Sequence, residues 1–297
     1  MSSATPTVPG YLVLAAGDAG RTDGQAVRQV LEVLAAAAPT ELRQTADHQD
    51  LETALDDLGG RRLVVAGGDG SVHLVVTALL ARGQAASTPV GLVPLGTGND
   101  LAQGVGLPLD PRQAASRVVA GHVRALDVLR DSENVVVNAA HAGFGVFAAR
   151  HAQRLKPVLG VLAYRLGAVW AGAAGAGVAA TVAVDGRTVC EDQSVLLVAV
   201  MNGSSIGGDT PLCPPADPAD GLLDVLVVTD RSRGQRAAFG LAVSRGRHIG
   251  LPGVTHRQGR QASVRLAQDS WNIDGELTGS AAAREWQVQT AAWQIVA

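Results

Sequence analysis

The sequence predicts two fold classes joined in one chain: an α/β half with a parallel sheet to about residue 126, then a half built of antiparallel strands. Three observations carry this reading. Short apolar runs alternate with helical periodicity through the first half. Two of those runs, Leu63 to Ala66 and Val90 to Val93, end directly in glycine-rich turns, as buried parallel strands do. From about Leu126 onward, strand-like runs are separated by Gly, Pro, Asn and Asp clusters.

Taken in order, Tyr11 to Ala15 is the first strand, and Val27, Val30, Leu31 and Leu34 follow at helical spacing. Leu51, Ala54, Leu55 and Leu58 form a second helical stripe, and Val72 to Leu80 a third helix after the strand at Leu63. In the second half, Val135 to Val137, Thr181 to Val184, Val195 to Val200 and Leu222 to Val228 read as strands. A helical interval from about Leu159 to Ala173 interrupts them, and Ala262 to Leu266 and Trp286 to Gln289 extend the sheet. The expected domains are 1–126 and 127–297, with a return of the final strand to the first domain left open. No internal repeat or low-complexity tract stands out beyond a general Ala/Gly enrichment.

A chain of 297 residues that is 47% hydrophobic can bury two modest cores. Its net charge of -3 and the lack of a Lys/Arg cluster argue against nucleic acid as a partner and against a polybasic membrane anchor. Cys190 and Cys213 are the only cysteines, which fits free thiols in a reducing compartment. Met1 to Gly10 lacks the basic patch and apolar run of a signal peptide, so a cytoplasmic protein is expected. Leu166 to Val184 holds no charge and approaches spanning length. Alanine and glycine dominate it and Arg165 and Asp185 flank it, so the expectation is a buried helix leading into a strand rather than a membrane span.

Gly67-Gly68-Asp69-Gly70-Ser71 lies between an apolar run and a helix, the context a phosphate loop needs. Glycines let backbone amides approach an anion, the helix N-terminus adds partial positive charge, and Ser71 is expected to cap or donate. Asp69 is the odd member, because a carboxylate repels phosphate unless it works through a cation or a donor. Pro94-Leu95-Gly96-Thr97-Gly98-Asn99-Asp100 repeats the arrangement at the end of the next strand. Either loop alone is compatible with an ordinary turn, but two at neighbouring strand ends are not easily explained so.

These two loops resemble those of the diacylglycerol kinase catalytic-domain family, relatives of sphingosine kinases and, more remotely, of NAD kinases and phosphofructokinases. The resemblance continues through Leu126-Asp127-Val128, Asn138-Ala139-Ala140-His141-Ala142-Gly143-Phe144-Gly145, Asn202-Gly203, Gly207-Gly208, the run Asp217 to Asp224, and Asp274-Gly275-Glu276. It implies a Rossmann-like N-terminal α/β domain that binds ATP, a C-terminal antiparallel β-sandwich-like domain, and chemistry in a cleft between them. It implies Glu276 as general base toward a lipid hydroxyl, with Asp69 also catalytic. Gly67, Gly68, Gly70, Ser71, Gly96, Thr97, Gly98 and Asn99 would meet the nucleotide. Asp69, Asp100 and Asp127 would form a water-linked network toward its magnesium. Asp217, Asp220 and the carbonyl of Leu222 match a structural magnesium site of some relatives; the other reading of Asp217 and Asp220 is that they cap turns.

The chain departs from the family pattern in places. Ala15-Ala16-Gly17-Asp18-Ala19-Gly20-Arg21 stands where relatives carry Asn-Pro, leaving Arg21 as the candidate phosphate contact there. His73-Leu74 replaces an Asn-Glu pair, and Gln103 replaces an arginine. The expectation is an ATP- and Mg2+-dependent kinase that visits a membrane surface, with diacylglycerol as acceptor and a homodimer allowed. Two alternatives stay open: NAD kinase, and a catalytically weak nucleotide- or lipid-binding regulator.

Overall fold

The computed structural model describes residues 8–16, 24–143, 177–230, 232–267, 270–278 and 282–297. Arg21, Phe144-Gly145 and the helical interval Leu159 to Ala173 lie outside the described residues. The chain divides into two compact units, one of Met1–Leu126 with Thr290–Ala297, the other of Asp127–Gln289. No helix among the described residues is long and apolar enough to cross a membrane.

In the first unit, β1 (Tyr11–Ala16), β3 (Arg62–Gly67) and β4 (Val90–Pro94) are buried along almost their whole length, as their unbroken apolar runs require. They pair in parallel, Tyr11 with Arg62 and Leu63 with Val90. β2 (Thr40–Thr45) lines the outer edge of β1. Its sequence, TELRQT, alternates partly buried and exposed side chains without an apolar run, so periodicity alone misses it. The opposite edge, β4, is covered by β15 (Ala283–Val296), whose Ile295 pairs with Val90.

Helices pack on this sheet with the predicted stripes. α1 (Gly24–Ala35) buries Val27, Val30 and Leu34. α2 (His48–Asp56), whose N-cap Asp47 accepts from the Asp50 N–H, buries Leu51, Ala54 and Leu55, while Leu58 falls past its end. α3 (Asp69–Ala81) follows β3, and α4 (Asp100–Gly104) follows β4. α5 (Pro111–Ala120) was not evident from apolar spacing, yet its punctuation is complete: Asp110 caps the Gln113 N–H, Pro111 opens the helix, and Gly121 at φ 77° ends it.

β5 (Val123–Arg130) leads into the second unit, where β6 (Val135–Val136), β7 (Ala139–Gly143), β8 (Val178–Val184) and β9 (Arg187–Met201) follow. Beyond them come β10 (Leu223–Thr229), α6 (Arg233–Val243), β11 (Val254–Gly259), β12 (Gln261–Leu266), β13 (Trp271–Ile273) and β14 (Glu276–Thr278). The strands run in the order β14-β13-β7-β9-β8-β12-β15, with β10 on β9 and β11 on β10. These pairings are antiparallel. The fifteen-residue β9 is shared: its Leu197–Met201 end lies between β7 and β10, and its earlier part pairs with β8. Trp271 and Trp286 meet edge to face at 5.8 Å in the core beneath. The Trp286 to Gln289 run is the middle of a fourteen-residue strand, since the polar alternation on either side of it also belongs to β15.

Candidate active site

The first unit brings its two glycine-rich loops side by side. Parallel β3 and β4 stay in register to Gly67 and Pro94, and one step further the Leu95 N–H donates to Gly67 O at 3.0 Å. A Cβ on Gly96 would stand 2.4 Å from the Gly68 Cα, so the backbones touch where no side chain fits. Ser71 folds back over Gly67, its Oγ 2.6 Å from where a Gly67 Cβ would be.

Asn99 holds the second loop from inside. It sits at φ 55°, a conformation asparagine tolerates, and its amide oxygen accepts from the Gly96 N–H at 2.9 Å while its Nδ2 donates to Gly96 O at 2.8 Å. With that side chain turned inward, α4 has no cap of its own. Asp69 supplies it: its two carboxylate oxygens accept from the N–H groups of Asp100 and Leu101, both at 3.1 Å. The charge that looked out of place in a phosphate loop therefore bolts one loop to the other. Gln103, in place of the family's arginine, donates to Gly98 O at 3.0 Å. Asp100 is buried and Thr97 exposed.

The N-cap of α3 is Gly68, which makes Ser71 its third residue, so the expected cap by Ser71 is not formed. The helix opens with no side-chain hydrogen bond at its N-cap, and a Cβ on Gly70 would meet nothing within 4 Å. Such an end suits a phosphate: space in front of it and the positive end of the helix behind it.

The second unit builds its constellation around Asp274. Asp274 and Gly275 have φ of 47° and 95°, the two positive values of a tight hairpin turn between β13 and β14. The Asp274 carboxylate accepts from the N–H groups of Val137 (2.7 Å), Asn138 (2.9 Å) and Ala139 (2.8 Å). Glu276, the first residue of β14, is exposed just past this turn. His141 on β7 is buried, and desolvation pushes its imidazole down to about 4 against the opposing pull of the Asp274 charge.

Asn202, at the end of β9, donates its Nδ2 to Asp127 O (3.0 Å) and Val137 O (2.8 Å), and Asn138 donates to Ser205 O (2.9 Å). Asn202 thus ties the end of β9 to β5 and to the residue after β6, and Asn138 ties the chain before β7 to Ser205, roles visible in sequence only as Asn before small residues at the ends of apolar runs. Asp127 is buried; its carboxylate accepts from the Gly221 N–H at 2.8 Å. Asp217 accepts from the Ala219 N–H and Asp220 from the Leu222 N–H, so both cap turns of the loop. Burial raises the Asp220 carboxyl first, and the charges of Asp224, Asp217 and Asp127 add to the rise. Carboxylate oxygens of this kind are the donors a hard divalent cation takes, so the donor types fit magnesium.

Comparisons with known proteins give the family. The diacylglycerol kinase catalytic domain matches residues 10–130, and the YegS C-terminal NAD kinase beta sandwich-like domain matches residues 138–297. A protein of Xanthomonas euvesicatoria pv. vesicatoria named probable lipid kinase YegS-like is 34% identical over 233 residues, covering 73% of each chain. A protein of the same name from Stenotrophomonas maltophilia is 31% identical over 251 residues, 80% of each. A solved structure described as a diacylglycerol kinase from Bacillus anthracis superposes with a TM-score of 0.79 over 98% of both chains at 20% identity, a likeness of fold. The protein is thus of the two-part class that couples an α/β catalytic domain to a β-sandwich-like domain. It belongs to the YegS branch of the diacylglycerol kinase catalytic-domain family, in which these two relatives bear the name probable lipid kinase.

Proposed function

We propose that this chain is an ATP- and Mg2+-dependent lipid kinase, transferring the γ-phosphoryl group to a lipid hydroxyl, with diacylglycerol the first acceptor to test. The observation that carries the reading is the lock between the two glycine-rich loops, with Asp69 bonded across it and an uncapped helix end beside it. Gly68, Gly70 and Ser71 would hold phosphate oxygens through backbone amides. Glu276 is exposed past a turn that Asp274 holds through three consecutive backbone N–H groups, which suits a general base. It would take the acceptor's hydroxyl proton as that oxygen bonds to the γ-phosphorus and the bond to the ADP leaving group breaks.

Magnesium, when bound, neutralises charge on the phosphates. Asp69 and Asp100 would reach it through water, and in the second unit Asp217, Asp220 and the Leu222 carbonyl would hold a second, structural ion. The enzyme would act from the aqueous side of a membrane surface.

The test is transfer of labelled γ-phosphate from ATP, with magnesium, into micellar monoacylglycerol, diacylglycerol, sphingosine or ceramide, with NAD as soluble control. Label in diacylglycerol supports the full reading, and label in another lipid moves only the acceptor. Label in NAD alone, or ATP binding without transfer, would replace it with one of the two alternatives. Glu276→Gln is expected to lower turnover by at least about 100-fold, the scale of a lost general base, with ATP binding unchanged.

A further inference from the structure

Three donor atoms of different chemistry converge in the second unit, away from the turn that carries Glu276 in sequence. Cys213 is fully buried in the segment between β9 and β10, where its N–H donates to Ser204 O (2.9 Å) and its carbonyl accepts from the Ala216 N–H (3.0 Å). Asp224, on β10, is the register partner of Gln258 on β11, so strand alternation puts Asp224 and His256 on one face. His256 Nε2 lies 2.5 Å from Asp224 Oδ1. The Cys213 Sγ, an Asp224 oxygen and a His256 nitrogen all lie within 4.8 Å of one another, and no other group of three such donors among the described residues lies so close.

The Asp224 side chain is 1% exposed, so its charge must be matched inside the protein. His256, 2.5 Å away, can match that charge only when protonated; a divalent cation would match it with the imidazole neutral and would use the sulfur and the nitrogen as well. Ligand type then selects the ion. Thiolate and imidazole with one carboxylate suit zinc, whereas magnesium prefers oxygen donors such as those of Asp217 and Asp220.

We propose that Cys213, Asp224 and His256 form a structural binding site for a zinc-class divalent cation. Tetrahedral zinc sets its ligand atoms about 3.3–3.6 Å apart, so the 2.5 Å Asp224–His256 contact must open by about 1 Å while the distances to the sulfur, within 4.8 Å, shorten by no more than about that much. As the metal bonds form, the Cys213 proton leaves to solvent, His256 Nε2 gives up any proton it shares with Asp224, and nothing is oxidised. The His256 side chain, 19% exposed, gives the ion a way in. The surroundings already orient the donors. Gln258 reaches the second Asp224 oxygen at 3.5 Å, and buried His248 meets Leu212 O at 2.7 Å, pinning the residue next to Cys213. The site would join β10, β11 and the segment leading to Asp217 and Asp220, steadying that acidic loop.

The test uses the full-length protein with cobalt(II) as probe, because thiolate ligation gives a sulfur-to-metal charge-transfer band that oxygen sites do not. One cobalt per chain, a charge-transfer band with tetrahedral visible bands, displacement by zinc and indifference to excess magnesium are expected. Cys213→Ser should abolish the charge-transfer band, and Cys190→Ser should keep it. If Cys213→Ser does not fold, His256→Gln provides the check, with affinity lowered at least 10-fold. A protein that gives no charge-transfer band, or one that keeps it in Cys213→Ser, overturns the proposal in favour of a metal-free Asp224–His256 pair with the thiol as hydrogen-bond donor.

Discussion

At the scale of single residues, the two aspartates of the glycine motifs act first on backbone amides. Asp274 takes three of them, on residues that are all buried. Asp274→Ala would leave Val137, Asn138 and Ala139 with unpaired donors, at about 1–3 kcal/mol each, so unfolding in urea should lose at least about 3 kcal/mol. Asp274→Asn keeps one acceptor oxygen and should lose less. A midpoint unchanged in Asp274→Ala would mean that these amides find other partners.

His141 makes the same region sensitive to acid. Its folded-state value of about 4 lies below the ordinary 6.5, so between those limits the unfolded chain binds a proton that the folded chain refuses. The stabilisation is complete above pH 6.5 and is lost as pH falls toward 4, in total about 3 kcal/mol at 1.36 kcal/mol per unit. His248 is shifted in the same direction by burial and adds to the slope. Urea titrations at pH 7 and pH 4.5 should show the drop, and His141→Gln should flatten most of it. An equally steep profile in that variant would assign the acid sensitivity elsewhere.

At the scale of elements, the glycine loops work as a pair. With its Cβ 2.4 Å from the Gly68 Cα, Gly96→Ala must push the loops apart by about 1 Å to reach ordinary contact, and that shift also pulls on the Asp69 bonds. We expect ATP affinity to fall at least 10-fold by calorimetry while Gly70→Ala, which has open space, changes it less. Equal losses would show that it is the space before α3, not the lock, that matters.

The strands and helices legible in the sequence were those with an apolar run or stripe: β1, β3, β4, β6, β8, the buried half of β9, β10, β12 and the helices α1, α2 and α3. β2 and β11 are polar edge or near-edge strands, and their places are set by neighbours rather than by their own hydrophobicity. α6, RGQRAAFGLAV, has its stripe diluted by arginine and glycine, although Ser232 and Gln235 form a capping box at its start. For the candidate site, the sequence motifs located the loops and turns; that Asp69 and Asp274 bind backbone amides 31 to 137 residues away is long-range information that no local pattern holds. The cluster of Cys213, Asp224 and His256 escaped for the same reason, its ligands coming from three separated segments.

At the scale of the whole molecule, the chain passes from the first unit to the second within β5 and returns within β15. The second unit is an insertion in the sequence of the first, whose sheet is completed by the last eight residues. Trp293, Ile295 and Val296 are almost fully buried, and Ile295 and Val296 pair with Val90 and Gly91 on β4. Removing them forfeits about 5–9 kcal/mol of burial at 1.5–3 kcal/mol per large side chain, as much as the whole stability of many domains. It also bares an apolar edge strand, which invites association. A fragment of residues 1–126 should therefore aggregate or show no cooperative melt, while the same fragment joined by a short Gly/Ser linker to residues 290–297 should melt cooperatively as a monomer. If residues 1–126 alone give a sharp monomeric transition, the final strand is an addition to a self-sufficient sheet and not its closing element. If the joined form also fails, the first unit depends on the second for more than its closing strand.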